Sequence, residues 1–290
     1  MKIKFLLIAI LFITIQSCNY NTSVNKDMLT GIGTKGNGLS CANVSLTIGT
    51  QKITKNTFVY GEEFYLNFNN IEGFIKENGF VFPGMNLLIL SQQGDTIMDK
   101  KDMYAEYTNG IDISPLLLQC NILVADPMRS NNSYTLFVNI WDKKSAGTFD
   151  TKLKFDVVDN KAIKLESNNI TYKNIYMFSK DRKLTISGNK IKLNETIYLL
   201  FEGLSGITNV EGKAIFGVSM VIKDAEGRIF LNEKDLMADS NMDIAELKQQ
   251  FAPNFIISNP DIKSPINCEI LIWDKNSDNK IKASLDLEVE

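Results

Sequence analysis

Histidine is absent from all 290 residues, and that absence excludes more chemistry than any motif in the chain suggests. Without imidazole there is no Ser-His-Asp or Cys-His site and no ordinary catalytic zinc site. Arginine is scarce: Arg129, Arg182 and Arg228 are the only three, so bidentate clamps on phosphate or carboxylate are few. No phosphate loop is present either. Gly73, Gly79 and Gly84 are separated by Phe74, Phe80 and Phe82, unlike the tight glycine spacing before a helix that phosphate binding requires. Long apolar runs are limited to Phe5 to Ile15, well short of the roughly twenty residues that span a bilayer core. Clustered acids are missing, so no calcium or other metal site is expected, and nothing implies a cofactor.

The one apolar run has a context. Lys2 and Lys4 precede it, and Ile15-Gln16-Ser17-Cys18 closes it. This resembles the signal of a bacterial lipoprotein, with Gln16 a departure from the usual small or apolar residue. The resemblance implies that residues 1–17 are removed and that Cys18 is lipidated. The mature protein is then held in the cell envelope by an N-terminal lipid anchor. Asn19 follows the cysteine where an aspartate would resemble an inner-membrane retention signal, so the outer membrane is favoured. The 31 basic residues less Lys2 and Lys4 leave 29 against 34 acidic ones, a net charge of −5. An acidic, lysine-rich surface is unsuited to nucleic acid. Once Cys18 is acylated, Cys41, Cys120 and Cys268 remain, an odd number that permits at most one disulfide. Three free thiols are expected.

From residue 18 to 40 the chain is rich in Asn, Thr, Ser and Gly, a composition that reads as a flexible linker. As a coil it would span about 25 Å, holding the body clear of the lipid. The body itself is duplicated. Phe64-Tyr65-Leu66-Asn67-Phe68 aligns with Ile197-Tyr198-Leu199-Leu200-Phe201, and the offset holds through Gly73/Gly206, Gly79/Gly212, Gly84/Gly217 and Gly94/Gly227. About ten of forty positions agree. Ile140-Trp141-Asp142-Lys143 then recurs as Ile272-Trp273-Asp274-Lys275. Two units follow, 41–160 and 163–290, each of domain size.

Inside each unit the period is two. Leu153, Phe155 and Val157 alternate with Lys154 and Asp156, as Leu285, Leu287 and Val289 do with Asp286 and Glu288, the signature of half-buried strands. Helix signals are few: Asp243 to Glu246 resembles a capping box, and Ser114-Pro115 has the cap-then-proline order before Leu116 to Leu118. The expected fold is all-β: two tandem homologous antiparallel β-sandwiches of immunoglobulin-like type, each with one short helical crossover.

The candidate binding residues are Trp141, Asp142, Trp273 and Asp274, with Phe74, Phe80 and Phe82. Alternation puts both indoles opposite the aliphatic strand face, half exposed, where they would stack on a sugar, anchor a partner or cap their own core. The aspartates open the hairpin loop and suit a turn that bonds its own backbone. The three phenylalanines stand in a segment whose second copy has Ile207, Lys213 and Ile215 instead, which makes the first domain's loop the richer surface. The composition favours a non-catalytic binding or scaffolding module for a protein or glycan. A carboxylate-dependent glycoside hydrolase and a structural subunit of an envelope complex are the alternatives.

Overall fold

The computed structural model describes residues 22–240 and 242–290. The signal segment and Cys18 lie outside the described residues. The first half contains β1 (Thr22–Lys26), β2 (Gly33–Asn37), β3 (Ser40–Ile48), β4 (Gln51–Ile53), β5 (Thr57–Val59) and β6 (Glu63–Glu72). It continues with β7 (Pro83–Ser91), β8 (Thr96–Lys100), β9 (Leu117–Leu123), β10 (Asn132–Asp142) and β11 (Thr148–Val158). One sheet runs β1-β2-β11-β10-β7-β8, with β5 parallel to β11, and the other runs β4-β3-β6-β9.

The second half repeats the plan. It comprises β12 (Ile163–Asn168), β13 (Asn174–Ser179), β14 (Leu184–Ile186), β15 (Lys190–Ile191), β16 (Thr196–Glu202), β17 (Asn209–Val210) and β18 (Lys213–Ala214). Then come β19 (Phe216–Lys223), β20 (Ile229–Glu233), β21 (Met242–Asp243), α1 (Ile244–Gln249), β22 (Gln250–Phe251), β23 (Asn254–Ile256), β24 (Ile266–Asp274) and β25 (Lys280–Val289). The sheet β12-β25-β24-β19-β20, with β15 parallel to β25, faces β14-β13-β16-β22, with β23 also on β16. β17, β18 and β21 form a small third sheet. Each half is thus a two-sheet sandwich of immunoglobulin-type strand order.

Alternation drives the packing. Along β10, Leu136, Val138 and Ile140 are buried while Phe137, Asn139 and Trp141 are half-buried, and β24 repeats this with Cys268, Ile270 and Ile272. The first core centres on Phe58, Phe64 and Phe155, the first two stacked with centroids 4.0 Å apart. The second is aliphatic, built on Ile197, Leu199, Val218, Ile270 and Leu285. Cys41, Cys120 and Cys268 are free thiols.

Three expectations need correction. Residues 22–40 are not a free linker: β1 and β2 form a hairpin, β2 pairs with β11 from Gly33↔Lys152 to Asn37↔Thr148, and Ile32 and Leu39 enter the core. Glycine content reads as coil, yet Gly36 allows the close approach here, because a Cβ there would lie 2.2 Å from the Leu39 carbonyl oxygen. The second half has the same lead-in strand, β12 on β25, so the first repeat starts near residue 32 rather than 41. The first half has no helical crossover: Leu118, Cys120 and Ile122 are buried and alternate with exposed neighbours, so β9 is a strand. In the second half α1 does form and buries Leu247, but the Asp243 side chain makes no cap bond. Its carboxylate is taken by Lys213 Nζ at 2.8 Å.

Candidate functional site

The duplicated Trp-Asp-Lys corner sits at one end of each sandwich and is bound inward. Trp141 is directly opposite Gly84 and Trp273 opposite Gly217 on the neighbouring strand. A Cβ on either glycine would lie 2.1 Å from the indole, so each ring lies flat on bare backbone. Asp142, 2% exposed, accepts from Ile75 N at 2.9 Å, Lys144 N at 3.0 Å and Ser145 Oγ at 2.7 Å. Asp274 accepts from Thr208 N at 3.2 Å, Thr208 Oγ1 at 2.7 Å and Ser277 Oγ at 2.5 Å. Burial alone would raise the Asp274 carboxyl, but the Ser277 and Thr208 hydroxyls and nearby amides hold it below its ordinary value. Lys143 pairs with Asp102 at 2.9 Å, and Lys275 with Asp235 at 2.8 Å.

The same corner gathers the phenylalanine segment. Lys143 N donates to Phe82 O, and Lys144 Nζ stands 4.5 Å from the Phe82 ring centroid. Phe74 packs on the first core, while Phe80, 36% exposed, closes a short turn with Glu77. Of the seven candidate residues, Trp141, Asp142, Phe74, Phe80 and Phe82 belong to the first sandwich, and Trp273 with Asp274 to the second. The carboxylates among them, Asp142 and Asp274, are spent inside the corner.

The two sandwiches are joined by a built junction. Tyr60, 1% exposed, donates its hydroxyl to Glu202 Oε2 at 2.7 Å and accepts from Asp126 N at 2.9 Å. Asn174 Nδ2 and the Tyr176 hydroxyl also reach Glu202, at 3.1 and 3.4 Å. Burial first, and then the Glu202 charge, push the Tyr60 hydroxyl well above its ordinary pKa and Tyr176 to about 12. Thr185 Oγ1 donates to Gly61 O at 2.6 Å. Gly61 has φ +91 and no room for a side chain, with Tyr176 2.6 Å from a Cβ placed there.

Buried carboxylates elsewhere are equally committed. Burial would raise Glu195, but the Arg182 guanidinium, the Ser179 hydroxyl and the Lys192 amide hold it below the usual carboxylate range. Glu62 accepts from Lys55 Nζ at 2.9 Å and Val59 N at 2.7 Å. Asp102, Asp224 and Asp235 are likewise held below the usual carboxylate range, the opposite of what a general acid needs, and among the described residues no cluster of potential metal ligands occurs.

An open cleft of about 530 Å³ lies at one edge of the second sandwich, a size typical of ligand sites. Met220 and Ile222 of β19 form its floor. β20 supplies Phe230, Leu231 and Glu233, β23 supplies Phe255 and Ile256, and Leu236 and Ile257 complete the wall. Leu236 and Ile256 are 43% and 52% exposed. Pro253 O and Ile257 O are taken by Leu199 N and Asn194 N, so the alternate backbone groups of Asn254 and Ile256 face away from β16, unpaired. In the first sandwich this edge is strapped: the Tyr104 hydroxyl accepts from Gln119 N at 3.2 Å and contacts Gln119 O at 3.4 Å. Its counterpart is Met237, and the partner strand is interrupted by Ala252-Pro253, leaving β23 three residues long. The cleft went unseen in the sequence, although the loss of Tyr104 in the second copy and Pro253 in strand register mark it.

No family model matches the chain, and no curated protein does. Among solved structures, the protein titled pT26-6p is 8% identical with a TM-score of 0.26, covering 92% of this chain and 65% of its own. Escherichia coli alpha-2-macroglobulin is 10% identical with a TM-score of 0.28, covering 89% of this chain and 15% of its own. A β-galactosidase homologue from Bacteroides fragilis is 10% identical with a TM-score of 0.25, covering 86% and 41%. The chain thus spans less than two thirds of each. No helix among the described residues is long and apolar enough to cross a membrane.

Proposed function

We propose that this protein is a lipid-anchored component of the cell envelope, in the outer membrane. Its tandem sandwiches act as a non-catalytic binding and scaffolding module, and the second sandwich's cleft holds an extended segment of a partner protein. The observation that carries this reading is the unstrapped edge. An apolar trough about 530 Å³ in volume lies beside unpaired strand backbone, where an added strand would find both main-chain partners and a pocket for its side chains. A protein is favoured over a glycan because the indoles, the natural sugar platforms, are laid on Gly84 and Gly217. The Glu202 junction supports a scaffolding role, since it fixes one sandwich against the other. Glu195 and Asp274, held ionised by their hydrogen-bond partners, speak against the hydrolase alternative.

A photoreactive side chain placed at Ile256 in living cells is expected to capture one stoichiometric envelope protein. Leu236→Asp, which puts a charge on the cleft rim, should abolish capture without altering the circular dichroism. Capture that survives Leu236→Asp, or release of reducing ends from a polysaccharide panel, would defeat the reading.

A further inference from the structure

The β1–β2 hairpin displays apolar side chains that no core claims. Its turn is held rigidly: Asp27 Oδ1 accepts from Leu29 N at 2.7 Å and Thr30 N at 3.1 Å, Asp27 N donates to Ile32 O at 2.8 Å, and Thr30 and Ile32 are buried as its footing. The turn holds Met28 and Leu29 outward, 89% and 75% exposed, with Val24 at 77% on the strand behind them. Around them stand Lys26, Lys35, Lys52 and Lys152, all exposed, none within ion-pair distance of a carboxylate among the described residues. Two acids share this face, Asp27 bonded in its own turn and Asp150 bonded by Asn139 Nδ2 at 2.7 Å and set opposite Lys35, so four lysines stand against two carboxylates. The patch is cationic on a chain whose net charge is −3. Cys18 is four residue steps from Thr22, at most about 14 Å of extended chain, and the hairpin is itself about 17 Å long. An acyl anchor at Cys18 therefore keeps this hairpin within reach of the headgroups.

We propose that the hairpin tip and its lysine flank form a second membrane contact, seating on an anionic lipid surface and fixing the orientation of the body. This rests on the acylation of Cys18 proposed above. Lysines near an anionic surface each favour contact by about five-fold, and Met28 and Leu29 would enter the interfacial layer.

The test uses the mature protein purified from the envelope, carrying Leu29→Trp, mixed with vesicles of brominated phosphatidylcholine with or without phosphatidylglycerol. Mass spectrometry of the N-terminal peptide reads acylation in the same sample. After subtraction of the native tryptophan signal, the introduced indole is expected to be quenched in anionic vesicles. Lys26→Glu with Lys35→Glu should cut the quenching at least about three-fold, and a reporter at the distant Ile229→Trp should stay unquenched. An acylated protein with no quenching at residue 29 overturns the hairpin contact and leaves the anchor standing. Quenching in a sample without acyl groups supports the contact and refutes the anchor. Equal quenching at residues 29 and 229 also overturns it.

Discussion

Replacing Gly84 by alanine places a methyl carbon 2.1, 2.3 and 2.5 Å from three atoms of the Trp141 indole. The ring body would have to retreat by about 1.3 Å to restore ordinary contact, a shift typical of overpacking that costs about 1–3 kcal/mol. The backbone is not the obstacle, since Gly84 lies within strand β7 and has no positive φ. Trp141→Ala alone strips a half-buried ring off the strand and should cost about 2–3 kcal/mol, below the range for a fully buried tryptophan. The informative variant is the pair. With the indole gone, alanine at 84 loses its three closest contacts and brings the usual strand advantage over glycine of about 0.5–1 kcal/mol. Gly84→Ala should therefore destabilise the parent and be neutral or stabilising in the Trp141→Ala background. Urea unfolding followed by circular dichroism, free of the tryptophan signal, gives the cycle. An equal cost in both backgrounds would refute the claim that the indole occupies the glycine's missing side chain.

The junction gives a second expectation: Tyr60→Phe removes one charged hydrogen bond from Glu202, worth about 1.5–3 kcal/mol, and should split the calorimetric transition into two. For acid stability, Glu195 is held ionised below its unfolded pKa of about 4.3. Its contribution is thus complete above that value and is lost as pH falls through the folded pKa. The urea midpoint should drop with acidity, and less steeply in Glu195→Gln. Burial pushes the Cys120 thiol to about 12 and Cys268 higher still, so neither should react with Ellman's reagent at neutral pH before denaturant is added.

Strand alternation and the repeat made both sandwiches legible, because period-two patterns report a half-buried sheet regardless of neighbours. Local composition misled where long-range pairing decides. Gly33 to Asn37 has the residues of a coil, yet it becomes a strand because β11 offers an open edge. Ser114-Pro115 opens like a helix, yet Leu118, Cys120 and Ile122 keep a period of two, and burial follows that period. The Trp-Asp pairs were visible as motifs, but their use was not: only the register that sets Trp141 against Gly84 shows why a glycine recurs there. The cleft depends on what the second copy lacks, a tyrosine strap, and absences of this kind carry no periodic signal.

The lead-in strands bear on how the chain reaches this fold. β2 pairs with the final strand of its sandwich, Asn37 against Thr148, and β12 does the same, Asn168 against Lys280. Each half therefore carries an early strand, β2 or β12, whose partner in the main sheet is made last, a high-contact-order arrangement that slows closure. As the ribosome delivers the chain from its N-terminus, neither sandwich can shut until its own closing strand has emerged, and the glycine-rich β2 waits, held only by its hairpin partner β1, for the whole length of the unit it belongs to.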